Sequence, residues 1–178
     1  MRKLIVITVL FVGGILSSNA QIFKFGVKAG VNFANLTGND AEGFDGLTSY
    51  HFGVVTELKI LENFAIQPEV LYSSQGAKSD AFNDVKFDYI TVPVLAKFYL
   101  ISDKLSLEAG PQFAFLVNDN VDTTFETKSF DFAAVGGLGF NFTKSIFGQA
   151  RYVVGLTDTT RDAEVKNAVI QFSLGYTF

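Results

Sequence analysis

Apolar and polar residues alternate along the chain from Ile22 onward. In 22–34 the odd positions are Phe23, Phe25, Val27, Ala29, Val31 and Phe33, set against Lys24, Gly26, Lys28, Gly30 and Asn32. A helix would scatter such residues around its circumference, whereas a strand sets them all on one side. The pattern recurs over 48–60, 64–76, 86–100, 105–118, 130–142, 146–156 and 166–178, which predicts eight strands. Between them, 35–47, 77–85, 119–129 and 157–165 are long and polar, while 61–63, 101–104 and 143–145 are tight turns. Long and short connections therefore alternate. This is the layout of a bacterial membrane barrel, with long loops facing outward and turns facing the periplasm.

Alternation alone does not say whether the apolar face is buried or turned to lipid. The polar face carries Lys24, Lys28, Glu57, Lys59, Glu69, Lys97, Glu108, Asp131 and Arg151, mixed with many glycines. Five basic and four acidic groups can fill a small lumen as a compensated network. A soluble exterior would carry more charge and less glycine. Aromatics gather near strand ends, at Phe23, Tyr50, Phe64, Tyr72, Phe98, Phe142 and Tyr176, as an interfacial girdle requires. The expected fold is all-β: an eight-stranded antiparallel up-and-down transmembrane β-barrel over 21–178, after a cleaved signal peptide. The competing fold is a soluble, periplasmic, lipocalin-like barrel that buries the same face around a ligand.

Composition agrees, with 20 Phe, 6 Tyr and 16 Gly among 178 residues but only 18% charged residues. Such a chain is one domain long. Beyond its start it has no apolar run of the roughly 20 residues that a membrane helix needs. That start reads as a signal peptide over 1–20: basic Arg2 and Lys3, an apolar stretch over 4–16, and small Ser18 and Ala20 before a cleavage site at Gln21. Without cysteine, neither lipid attachment through an N-terminal Cys nor a disulfide framework is available. The formal charge is −4, and removing Arg2 and Lys3 leaves 12 basic against 18 acidic residues, or −6. That argues against nucleic acid as a partner.

The chain resembles the PorT-like outer-membrane β-barrel proteins of Bacteroidetes. The likeness is carried by Phe25-Gly26-Val27-Lys28-Ala29-Gly30, by Ile66-Gln67-Pro68-Glu69-Val70-Leu71-Tyr72-Ser73 and by Ile90-Thr91-Val92-Pro93-Val94-Leu95-Ala96-Lys97. Ala109-Gly110-Pro111, Arg151-Tyr152, Gly155-Leu156 and the closing Gly175-Tyr176-Thr177-Phe178 continue it. The resemblance implies that Phe178 is the signal offered to the barrel-assembly machinery. It also implies that Pro68, Pro93 and Pro111, which remove ladder donors inside strands, mark bulges or strand bends.

Catalysis has little to work with. His51 is the only histidine, and although Ser49 and Asp131 are available to it, no motif links the three. With no cysteine and no second histidine, no metal or cofactor site is expected. Asn39, Asp40, Glu42 and Asp45 lack the spacing of an EF-hand loop and read as a solvated loop. Gly136-Gly137-Leu138-Gly139 lies in a strand and precedes no helix, so lumen packing accounts for it. Lys28, Glu57, Glu69, Lys97, Glu108 and Arg151 are expected to plug the lumen as a structural polar network. The expected function is structural or interactive, in the bacterial outer membrane, without catalysis. Its partners would be the lipid bilayer, the assembly machinery and an envelope protein. A narrow passive channel for ions or small solutes is the alternative, and the resemblance adds an accessory role in a PorT-type secretion system.

Overall fold

Eight antiparallel strands close on themselves in the computed structural model of the chain, which describes residues 23–37, 44–79, 85–119, 129–157 and 166–178. They are β1 (Phe23–Thr37), β2 (Phe44–Leu61), β3 (Phe64–Ser79), β4 (Val85–Ile101), β5 (Leu105–Asp119), β6 (Phe130–Asn141), β7 (Ile146–Gly155) and β8 (Lys166–Thr177). Each strand pairs with the next, and β1 pairs with β8 from Gly26↔Thr177 to Thr37↔Lys166, so no edge is left open. The segment read as a signal peptide, 1–20, lies outside the described residues, as do Asn39, Asp40 and Glu42.

One end of the barrel carries the short turns and the other the long connections. At the turn end, Ser102 (φ 22°) and Asp103 (φ 57°) take the left-handed backbone that a tight β4–β5 turn demands. Lys104 N–H closes this turn on Ile101 O at 2.7 Å, and Asn141 Nδ2 donates to Asp103 O at 2.6 Å. Phe178 completes the seam: its N–H donates to Phe25 O at 2.9 Å, and its ring stacks on Phe25 at 6.1 Å.

The apolar face points outward. Phe25, Val27, Val31 and Phe33 on β1 are exposed, and so are Val94, Phe98 and Leu100 on β4. From Ile90 to Leu100 the outward residues span a belt about 25 Å tall, taking roughly 3.3 Å per residue and a tilt near 40°. That height matches the apolar band of an outer-membrane barrel. Tyr50, Phe52 and Tyr72 cluster on this surface, with ring centroids 5.4–6.4 Å apart, and Tyr176 packs edge-on to Phe178 at 5.5 Å at the turn end. A lipocalin-like barrel would bury this face, so the soluble alternative fails.

Two expectations need correction. Five strands run further toward the loop end than the alternation suggested: β1 to Thr37, β2 from Phe44, β3 to Ser79, β4 from Val85 and β5 to Asp119. Past the girdle a strand needs no apolar face, so the period-2 signal fades while the hydrogen-bonded ladder continues. The prolines are not bulges. Pairing stops between Pro68↔Val94 and Leu71↔Thr91, and again between Pro93↔Gln112 and Ala96↔Ala109, yet resumes each time in the same register. Pro111↔Ala134 is regular. The three prolines sit side by side across β3, β4 and β5, which gathers their missing donors into one local break. Register shifts occur instead at Gly46/His51, Lys59/Leu61, Asp88/Tyr89 and Tyr99/Ile101, toward the strand ends.

The lumen is filled in layers. Toward the loop end it is apolar, with Ala34, Leu95, Ala133, Val135, Val153 and Val169 in one cluster and Phe87, Tyr89 and Ala114 in another. Alternation hid these residues, because a lumen position can be apolar without breaking the period on the lipid face.

Candidate functional site

Below the apolar layer the charged residues meet. Glycines make the room. Gly137 on β6 pairs with Glu108 on one side and Arg151 on the other, so the two long side chains meet over a position without a side chain. A Cβ at Gly137 would come within 2.7 Å of Arg151 Cγ, and one at Gly139 within 2.6 Å of Ser106 Oγ. Lys28 is likewise flanked by Gly53 on β2 and Gly175 on β8.

Arg151 is the hub. Its Nη1 and Nη2 donate to the two oxygens of Glu69 at 2.9 and 2.8 Å, the bidentate geometry that a planar guanidinium favours. Its Nε and Nη2 also donate to Glu108 Oε2 at 2.9 and 2.7 Å. In an eight-stranded barrel β3 and β7 lie on opposite walls, so the Glu69–Arg151 pair crosses the full width of the lumen. Lys28 from β1 adds a 2.8 Å ion pair to Glu69 and donates to Gln149 Oε1 at 3.2 Å. Lys97 from β4 pairs with Glu57 Oε2 at 2.8 Å, approaches Glu108 at 3.8 Å and donates to Gln67 at 3.1 Å. Gln149 Nε2 donates to both Glu108 oxygens, and Tyr99 O–H donates to Glu57 Oε2 at 2.8 Å.

The six residues singled out in the sequence thus form one cluster, with three cations against three carboxylates. Every side chain in it is less than a tenth exposed. Burying charges at this depth is tolerable only when they are paired and hydrogen-bonded. The remaining charges of the polar face lie apart. Lys24 sits at the mouth of the turn end, 3.6 Å from Glu57 Oε1. Lys59 turns outward to Asp103 at 2.5 Å. Asp131 accepts from Thr157 Oγ1 at the loop end. Gln67, Gln149 and Tyr99 were not expected in the network. Their inward period was visible in the sequence, but their partners across the barrel were not.

A second, neutral network surrounds His51. Asn32 Nδ2 donates to Tyr50 O, Ser73 Oγ and Ser74 O at 3.2, 3.1 and 2.8 Å, leaving Asn32 Oδ1 as an acceptor. His51 Nδ1, 2.7 Å from that oxygen, therefore carries the ring proton, and Nε2 accepts from Ser173 O–H at 2.7 Å. Gln171 Nε2 also donates to Asn32 Oδ1 at 3.1 Å. Ser49 instead donates to Ser74 O at 2.6 Å, so neither it nor Asp131 joins His51. A Ser–His–Asn relay has the polar order of a hydrolytic triad. Asn32, His51 and Ser173 are nevertheless all buried, whereas chemistry needs a place for a reacting atom about 3 Å from the hydroxyl. Among the described residues, no group of three or more His, Cys, Asp or Glu side chains has the arrangement to hold a metal ion.

A closed barrel with an apolar exterior and a charged interior is the architecture of the bacterial outer membrane. The profile of the outer membrane protein beta-barrel domain family matches residues 19–161. The chain belongs to that family. This outer membrane barrel therefore resides in the bacterial outer membrane, with its belt in the lipid bilayer. No curated protein sequence matches it. Its fold is similar to that of Neisserial surface protein A, with a TM-score of 0.64, 13% identity, and coverage of 86% of this chain and 97% of that one. It is also similar to Ail, the attachment invasion locus protein of Yersinia pestis, with a TM-score of 0.57, 15% identity, and coverage of 89% and 100%. OprG from Pseudomonas aeruginosa follows at a TM-score of 0.56 and 9% identity, covering 88% and 96%. At these identities the likeness is one of fold.

Proposed function

We propose that this outer membrane barrel is a sealed membrane-embedded scaffold with a structural or interaction role, presenting its long connections outside the cell and catalysing no reaction. The observation that carries this reading is the Glu69–Arg151 pair, which joins opposite walls and is held on both flanks by Lys28 and Glu108. An eight-stranded barrel is just wide enough for side chains to fill. Here they fill it twice, once with ions and once with the apolar layer around Leu95 and Val169. A solute moving through would have to break buried ion pairs and wet an apolar constriction. The channel alternative therefore requires a rearrangement of the lumen. The test is solute-driven swelling of liposomes containing the barrel. The scaffold reading expects no swelling beyond empty liposomes with small sugars or amino acids, and swelling in the unmodified protein would replace it with the passive-channel reading.

The finer lineage belongs to the same proposal. The ordered motifs from Phe25-Gly26 to Gly175-Tyr176 support a PorT-like barrel of Bacteroidetes, exported by residues 1–20 and handed to the barrel-assembly machinery through Phe178. Phe178 is 75% exposed beside Phe25 and Tyr176, so its ring is available on the barrel wall while its backbone closes the seam. An accessory role in secretion would need an envelope protein partner recognising the outer connections.

A further inference from the structure

The ionic chain across the lumen is wet at one end and dry at the other. Side-chain exposure falls from 36% at Lys24 to 9% at Glu57, 4% at Lys97 and 1% at Arg151, and it is 0% at Lys28, Glu69 and Glu108. Toward the loop end, the His51 network and the apolar layer stand between these charges and solvent. Water therefore approaches the network from the turn end.

Glu57 marks the place where it stops. Its two oxygens differ. Oε2 accepts from Lys97 Nζ and from Tyr99 O–H, both at 2.8 Å. Oε1 is buried and accepts no hydrogen bond from the described residues. Its cation, Lys24 Nζ, stands 3.6 Å away, beyond hydrogen-bond reach. A buried carboxylate oxygen left without a donor is unfavourable. Beside Glu57 lies a cavity of about 20 Å³, lined among others by Lys24, Gln67, Lys97, Asn141 and Thr177. One water occupies roughly 10–15 Å³ by this measure and needs two to four polar partners. The flanking lysines disfavour a free cation in this space, and the carboxylate disfavours an anion. A small neutral molecule that both donates and accepts satisfies every group.

We propose that this cavity is a specific one-water site. The water donates to Glu57 Oε1, accepts from Lys24 Nζ, and forms the inner limit of solvent at the turn end of the lumen. The site does not depend on the barrel being impermeable, so its test and the swelling test fail separately.

The experiment is a crystal structure of the refolded full chain at a resolution that orders individual waters. The expected result is a water peak within about 3.2 Å of Glu57 Oε1 that also contacts Lys24 Nζ or another polar group of the cavity. The proposal is overturned if Lys24 Nζ sits directly on Oε1 with no peak between them, if the cavity is empty, or if an ion occupies it. In detergent micelles, nuclear Overhauser contacts from a long-lived water to the Tyr99 or Gln67 side chains provide a second measurement. Their presence supports the site and their absence overturns it.

Discussion

Replacing Arg151 by Met keeps the apolar stem that fills the lumen above Gly137 and removes only the guanidinium. That guanidinium makes four hydrogen bonds to two carboxylates at 2.7–2.9 Å. Without it, two buried cations, Lys28 and Lys97, face three buried carboxylates, Glu57, Glu69 and Glu108. Glu69 retains Lys28 at 2.8 Å and the amide of Gln67 at 2.6 Å. Glu108 fares worse, keeping Gln149 at 3.0 Å and Lys97 only at 3.8 Å. Removing one partner of a buried pair leaves an uncompensated charge and costs about 3–5 kcal/mol. The matched control is Lys59→Met, which breaks an ion pair whose Asp103 side chain is 56% exposed and should cost less than about 1 kcal/mol. Equilibrium unfolding in denaturant, with the barrel in phospholipid vesicles and followed by far-ultraviolet circular dichroism, measures both. A double-mutant cycle with Glu69→Gln should give a coupling free energy of about 0.5–3 kcal/mol for the pair that spans the lumen. If Arg151→Met costs no more than Lys59→Met, the claim that this network holds opposite walls together is wrong.

Other substitutions test other layers. Val94→Arg places a charge on the lipid face near the middle of the belt and should cost about 2–4 kcal/mol in the same unfolding assay; an unchanged stability would mean that this face does not meet lipid. Gly139→Ala drives a methyl group into Glu108 and Ser106 and should destabilise by about 1–3 kcal/mol. Gly136→Ala on the neighbouring outward position, where an added Cβ meets nothing within 4 Å, should be nearly silent by comparison. His51→Ala strips partners from Asn32 Oδ1 and Ser173 Oγ and should cost about 1–3 kcal/mol or more. Deleting Phe178 should lower the amount of barrel reaching the outer membrane of expressing cells, read by fractionation, and normal accumulation would remove it as an assembly signal.

The barrel was legible in the sequence because its lipid face obeys a strict rule. Every second residue from Phe23 to Phe33, or from Ile90 to Leu100, must be apolar if the belt is to stay in lipid. The turns were legible for a local reason, since Ser102 and Asp103 take a backbone that few residues adopt readily. The lumen obeys a looser rule. Lys28, Glu69, Glu108 and Arg151 announce themselves because charges on an inward period must find partners. Leu71, Leu95, Val153 and Val169 do not, because an apolar lumen residue next to an apolar lipid residue reads only as a gap in the alternation. Which charge meets which depends on registers fixed across the whole barrel. Arg151 and Glu69 are 82 residues apart and come together only once β1 has closed on β8. Of the two readings of the prolines, bulge or strand bend, the bulge fails for a related reason. A missing donor in one strand suggests a bulge, and only the side-by-side placement of Pro68, Pro93 and Pro111 shows that the ladder skips and resumes without an added residue. The partners of His51 on β1 and β8 could not be told from Ser49 and Asp131 by spacing.

Single-channel conductance of the barrel folded into a planar lipid bilayer, compared with Arg151→Met, bears most directly on the sealed lumen. A silent parent beside a variant that shows discrete current steps is the expected result, because the pair that bridges opposite walls is then what closes the path. Discrete steps from the parent itself would contradict the account, since a lumen filled by buried ion pairs and an apolar layer would be carrying ions while intact.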